Sequence, residues 1–196
     1  MKNHSVIFLA RHGQTEWNVI GRRQGQLDSP LTEDGRVSAA ATGNLLADAG
    51  INRIFSSPLG RAQETAAIIA ESLGCDVEIV DELAEVNHGS VAGLTDAEIK
   101  TLHGEYWTGR RANLYDWRFP DGESFREADT RAALALSVVA ASNSTRPLLV
   151  SHEMIGRLLR GRLLGLPPVD AVRLSHPHGV VFRVEDGTAD KLLSRI

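Results

Sequence analysis

The chain has 196 residues, 42% hydrophobic and 23% charged, with a formal net charge of -4. That length suits one core, so a single domain over 1–196 is expected, and the mildly acidic balance argues against a nucleic-acid partner, whose phosphates attract a basic face. Cys75 is the only cysteine, which excludes an internal disulfide and a cysteine-built metal site. The apolar run Val6 to Ala10 is too short for a signal-peptide core, and no stretch reaches membrane-span length. A cytoplasmic protein without membrane contact is the expectation.

Ser5 to Ala10 reads as a short buried strand, apolar on both faces as in a parallel sheet covered by helices. It runs into Arg11-His12-Gly13, a polar turn where open α/β sheets keep their chemistry. Residues 19–31 read as a loop. Thr32 can cap the next helix, whose buried face is expected at Val37, Ala41 and Leu45. Arg53 to Ser56 is a second strand. Leu59, Ala62, Ala66, Ile69 and Leu73 then recur at spacings of three and four, sharing one helical face. Arg61 lies off that stripe in the first turn, where a cation opposes the macrodipole and needs another reason to be there.

Val77 to Val80 is a third strand, and Asp81 to Gly93 is a loop with three carboxylates. Residues 94–123 combine a short helix with Trp107, Tyr115, Trp117 and a Pro120-Asp121-Gly122 turn. Aromatics there, if exposed, would favour a homodimer. Glu123 or Ser124 starts a helix with the stripe Phe125, Ala128, Ala132, Leu136 and Val139. Leu148 to Ser151 is a buried strand delivering His152, Met154 to Leu164 is helical, and Val180 to Val184 and Lys191 to Leu193 are edge strands. This alternation indicates an α/β fold, a three-layer α/β/α sandwich with a mostly parallel central sheet.

Two strands thus end alike, one at Arg11-His12-Gly13 and the other at Ser151-His152. Parallel neighbours would bring both imidazoles to one sheet edge, with Arg11 and Arg61 offering planar donors matched to phosphate oxygens. Other phosphate chemistries lack their signatures. There is no Gly-x4-Gly-Lys-Ser/Thr loop, and Asp81 stands where a cysteine phosphatase built on Cys75 would need Arg. Gly122-Glu123-Ser124 lacks the second Gly of a serine-hydrolase elbow. His88, His176 and His178 have no carboxylate or Cys spacing that suggests a metal site, and they read as structural.

Leu9-Ala10-Arg11-His12-Gly13-Gln14-Thr15-Glu16-Trp17-Asn18 resembles the signature of the histidine phosphatase (phosphoglycerate mutase-like) superfamily. The resemblance continues through Gly21-Arg22, Asp28-Ser29-Pro30-Leu31-Thr32, Ser56-Ser57-Pro58-Leu59-Gly60-Arg61-Ala62 and Leu83-Ala84-Glu85. It ends with Gly122-Glu123-Ser124 and Leu149-Val150-Ser151-His152.

The resemblance implies a phosphoglycerate mutase-like fold and a reaction with no metal or other cofactor. His12 would be the nucleophile that becomes phosphorylated, and Arg11, Arg61 and His152 would hold the equatorial oxygens. Glu85 would protonate the leaving alcohol and then activate water; Glu82 is the alternative if the loop slips. Asn18, Gln24, Gly25 and Thr15 are candidate substrate contacts, although Gln24, like Trp17, also reads as loop structure.

Two departures from the family pattern stand out. Glu153 replaces the usual Gly after the second histidine, where it could hold His152 protonated or face solvent. Ser90-Val91-Ala92-Gly93 replaces an aromatic-acidic-Gly run and alters the pocket wall.

The expected function is a phosphomonoesterase acting on a small-molecule phosphate monoester. Residues 86–121 are short for the lid of a phosphoglycerate mutase, which is the alternative. A non-catalytic phosphometabolite-binding module is a third reading, disfavoured by the presence of both His12 and Glu85.

Overall fold

The computed structural model describes residues 6–193. β1 (Val6–Arg11) leads to the one-turn helix α1 (Glu16–Val19), a loop and α2 (Glu33–Leu45). β2 (Arg53–Ser56), α3 (Gly60–Leu73) and β3 (Val77–Ile79) follow. After 3-10 turns at Asp81–Leu83 and Gly89–Val91 come α4 (Asp96–Leu102), α5 (Tyr106–Ala112) and α6 (Phe125–Ala141). β4 (Pro147–Ser151), α7 (Glu153–Leu163), α8 (Pro168–Ala171), β5 (Val180–Glu185) and β6 (Thr188–Leu193) complete the order.

The sheet order is β3-β2-β4-β1-β5-β6, parallel from β3 to β1 and antiparallel across β5 and β6. Strand side chains alternate between faces, and β1 divides accordingly. Ile7 and Leu9 join Phe125, Ala128, Ile155 and Leu158 from α6 and α7. Val6, Phe8 and Ala10 join Ala62, Ala66 and Ile69 from α3. The result is the expected α/β/α arrangement with a mostly parallel sheet.

Local expectations hold where the code is local. Thr32 caps α2 by accepting from the Gly35 N–H, and Ser124 caps α6 with a capping box through Glu127. The apolar face of α2 is different. Val37 is 44% and Leu45 38% exposed, while Gly35, Ser38, Ala39, Thr42 and Gly43 are buried. α2 packs on α3 through small residues, and a Cβ on Gly43 would stand 2.6 Å from Ser72 Oγ. Close helix approach selected small side chains, which a search for large apolar ones misreads.

β5 is not an edge strand: it lies between β1 and β6, and of these two late strands β6 is the edge. β1 runs one residue further than expected, and Ser5 lies outside the described residues. Residues 94–123 hold two short helices, and their aromatics form an interior cluster. Tyr106 and Tyr115 are buried, and the Trp107 and Trp117 rings each meet Tyr106 edge-on.

Candidate active site

β1 and β4 are hydrogen-bonded parallel neighbours with Arg11 opposite Ser151, so the residues that follow, His12 and His152, meet at one sheet edge. Their ring centroids are 5.0 Å apart, and the His12 N–H donates to the Ser151 carbonyl at 2.9 Å. The sheet register makes this pair, and no local spacing could.

The tautomer of His12 follows from its neighbour. Nδ1 lies 2.7 Å from the Gly13 carbonyl oxygen, which can only accept, so Nδ1 carries the hydrogen and Nε2 the lone pair. Burial, followed by the charges of Arg61 and Arg11, holds the ring well below the usual histidine range and therefore neutral. The loop is held from behind: the Gly13 N–H donates to Thr65 Oγ1 at 2.9 Å, and Thr65 Oγ1 donates to the Arg61 carbonyl at 2.7 Å. Gly13 lies against Gly35, where a Cβ would come 2.5 Å from the Gly35 carbonyl oxygen.

Both arginines are tied back by the same atom. In Arg61, Nη1 donates to the Leu27 carbonyl at 2.7 Å and to Asp28 Oδ1 at 3.0 Å, while Nη2 donates to the Gly25 carbonyl at 2.8 Å. In Arg11, Nη1 donates to Glu153 Oε2 at 3.1 Å and to the His176 carbonyl at 3.4 Å. In each, Nε is buried without a partner. In Arg11 this leaves the fork between Nε and Nη2 to receive an anion and match two phosphate oxygens, while in Arg61 Nη2 gives one hydrogen to Gly25 and leaves Nε and its second hydrogen for the anion. Burial lowers both guanidinium values from the ordinary arginine range, and both remain cations at neutral pH.

Glu85 caps α7 from a distant loop. Oε1 accepts from the Val86 N–H at 2.9 Å and the Ile155 N–H at 3.0 Å, and Oε2 accepts from the Met154 N–H at 3.0 Å. The helix's own N-cap, His152, makes no side-chain cap bond, so Glu85 satisfies the orphan donors of its first turn. The carboxylate is thereby fixed to the helix that follows His152. Asn18 Oδ1 accepts from the Thr15 N–H and Oγ1, both at 3.0 Å, which leaves its NH2 as the end with hydrogen bonds to give.

A cavity of about 170 Å³ is lined by Arg11, His12, Asn18, Gln24, Gly25, Arg61 and Glu85, with Trp17, Gly21, Arg22, Arg23, His88, Glu153 and Met154 around them. Two arginine forks, a neutral imidazole lone pair and a carboxylate around a space this small suit a phosphoryl group and its transfer. Residues 7–194 match the sequence profile of the histidine phosphatase superfamily (branch 1).

The chain belongs to this superfamily. Membership makes it a phosphoryl-transfer enzyme in kind. As a histidine phosphatase superfamily protein it is 39% identical over 181 residues to "Probable phosphoglycerate mutase GpmB" of Salmonella arizonae, covering 91% of this chain and 84% of that protein. It is also similar to a solved mycobacterial glucosyl-3-phosphoglycerate phosphatase complexed with VO3, at 28% identity and a TM-score of 0.82 over 98% of both chains. The alpha-ribazole phosphatase of Shigella flexneri superposes with a TM-score of 0.84 at 25% identity, over 97% of this chain and 96% of that one.

Most of the residues singled out from the sequence converge in this superfamily site, but not all. Thr15 is buried and absent from the cavity lining. It caps α1 and accepts from Gln24 Nε2 at 2.8 Å, so it shapes the loop without facing the cavity. His152 is fully buried behind the lining, with Nε2 2.7 Å from Ser57 Oγ. Glu153 pairs with Arg11 and Arg157 and bonds neither nitrogen of His152, so it does not hold that ring protonated, and its side chain is partly exposed. Glu82 is not in the lining.

Several contributors were not assigned to the site from the sequence, His178 having read as structural. His178 stands 5.3 Å from the His12 ring, and Ser57 reaches His152. Arg23 lines the rim, where it pairs with Asp96. Among the described residues, no three His, Cys, Asp or Glu side chains are grouped to hold a metal.

Proposed function

We propose that the protein is a metal-independent phosphomonoesterase for small phosphorylated metabolites, working through a phosphohistidine on His12. The observation that carries this reading is the His12 geometry. The hydrogen is pinned on Nδ1 by Gly13, and Nε2 is left as a lone pair among two arginine forks.

In the first step Nε2 attacks phosphorus, the bond from phosphorus to the ester oxygen breaks, and Glu85 gives its proton to the departing alkoxide. In the second, water attacks the phosphohistidine and passes a proton to Glu85, and phosphate leaves with His12 restored. Arg11 and Arg61 neutralise the equatorial oxygens throughout, so the positive charge the transfer needs comes from the side chains. Oε2 accepts from the Met154 N–H alone and keeps a lone pair for the proton, so Glu85 stays bonded to α7 as it takes or gives it. The acid is therefore coupled to the helix that follows His152.

Hydrolysis in place of mutase chemistry is supported by the cavity wall. Nothing from residues 94–121 lines the cavity, so that segment does not close over a phosphohistidine. A mutase is the second reading, favoured by the name of the 39% identical relatives.

The test is phosphate release from a panel of monoesters in excess EDTA, with wild type beside His12→Ala. Turnover that survives EDTA and vanishes in the variant supports the phosphatase. Release from no ester, with isomerisation of a phosphoglycerate once a bisphosphate primer is added, would replace it with the mutase.

A further inference from the structure

The two histidines at the sheet edge present opposite nitrogens. His12 uses Nδ1 on the Gly13 carbonyl and keeps Nε2 free. His152 uses Nε2 on Ser57 Oγ, and its Nδ1 is buried without a partner. Which nitrogen of His152 carries the hydrogen depends on Ser57.

Ser57 is fully buried, and its Oγ has one other bond, accepted from the Leu59 N–H at 3.3 Å. If His152 donated through Nε2, Ser57 Oγ would accept twice, and its own hydrogen would lie buried with no acceptor among the described residues. If Ser57 donates to Nε2, every hydrogen at the hydroxyl is placed. Each arrangement leaves one buried hydrogen without an acceptor, on Ser57 Oγ in the first and on His152 Nδ1 in the second, but the first also strands the Nδ1 lone pair, so the second arrangement prevails.

We propose that Ser57 is a positioning residue that sets the tautomer of His152, donating to Nε2 so that the ring hydrogen stays on Nδ1 as a ready donor to a phosphoryl oxygen. The ring is held neutral by burial and by Arg61, so it has one hydrogen to place, and its location decides whether Nδ1 attracts or repels an anion. Ser57 itself is delivered by the register. Its N–H donates to the Val150 carbonyl at 3.0 Å, at the end of the strand that carries His152. The inference rests on the phosphoryl-transfer reading for its kinetic consequence alone; the tautomer is a property of the free protein.

The experiment is a two-bond ¹H–¹⁵N spectrum of protein labelled with ¹⁵N-histidine, recorded near neutral pH for wild type, Ser57→Ala and Ser57→Thr, with kcat and KM measured on the same samples. Wild type is expected to show a protonated Nδ1 at His152. Ser57→Ala should populate both tautomers and lower kcat about tenfold to a hundredfold, the cost of misplacing one oriented donor. Ser57→Thr keeps the hydroxyl and should recover the Nδ1–H form. A wild-type spectrum with Nε2 protonated overturns the proposal. So does Ser57→Ala with an unchanged tautomer, or with a changed tautomer and an undiminished kcat. If Ser57→Ala does not fold, the wild-type spectrum still decides the assignment. An inactive wild type with Nδ1 protonated would remove the phosphatase reading and leave the tautomer assignment standing.

Discussion

Acidification should unfold this protein early, because its core holds an unusual load of neutral histidine. His88, His176 and His178 are each lowered to about 3, with burial the largest cause in every case. His12 and His152 also lie well below the ordinary value of 6.5, again mainly through burial. Each folded value lies below the unfolded one, so the unfolded chain binds the proton first. Stability is therefore complete above pH 6.5 and declines as pH falls from there towards 3, where the folded rings themselves protonate.

The slope is about 1.4 kcal/mol per pH unit for each ring. Between pH 7 and pH 5 that amounts to about 2 kcal/mol per histidine, or about 6 kcal/mol for the three outside the central pair. A loss of that size is comparable with the whole stability of a typical domain, about 5–15 kcal/mol. The assay is urea unfolding followed by tryptophan fluorescence at pH 7, 6 and 5, in buffer without phosphate. His176→Gln serves as the internal control, since its side chain takes no proton and should make the pH dependence shallower. A urea midpoint that is the same at pH 5 as at pH 7 would refute the reasoning, as would a His176→Gln protein with an unchanged pH dependence.

Other changes act on the site's supports. Gly13→Ala forces a methyl against the Gly35 carbonyl and should destabilise by roughly 1–3 kcal/mol while displacing His12, read as a lower melting temperature and lower kcat. Thr65→Val keeps the shape but leaves the Gly13 N–H without its acceptor, a cost of about 1–3 kcal/mol that chemical denaturation will register together with reduced kcat. Arg61→Lys cannot span the Gly25 and Leu27 carbonyls and Asp28 while presenting a fork. Phosphate or vanadate affinity, measured by calorimetry, should fall by at least tenfold, about 1.4 kcal/mol. Glu85→Gln should release p-nitrophenol from its phosphate ester in a burst of one per site and then turn over slowly, because that leaving group needs no proton but water still needs a base. A linear time course at the wild-type rate would count against Glu85.

Much of the site was legible because its carriers follow strand ends and helix starts. His12 and His152 each directly follow a short buried strand, and Thr32 and Ser124 announce their helices by local chemistry. Glu85 emerged through its place in a family pattern, since nothing about residues 81–85 says that a loop carboxylate will cap a helix starting at Glu153. Ser57 stood in a motif without a role of its own and His178 read as structural, ordinary residues made consequential by a neighbour about 95 and 166 positions away.

The misreadings have the same origin. Val37 and Leu45 looked like a buried face because apolar size was taken for burial, whereas α2 meets α3 through Gly43 and Ser38. β5 looked like an edge because a strand's place in a sheet is not encoded in the strand.

The amino-acid order by itself determined which segments become strands and helices, where they are capped, and which phosphate-binding side chains stand at their ends. These depend on periodicity and on contacts within a few residues. The tertiary structure decided the neighbours: β4 beside β1, Thr65 behind Gly13, Glu85 on α7, Ser57 on His152. Each of those contacts joins parts of the chain far apart in sequence, and only the closing of the sheet and the packing of its helix layers brings them within hydrogen-bonding distance.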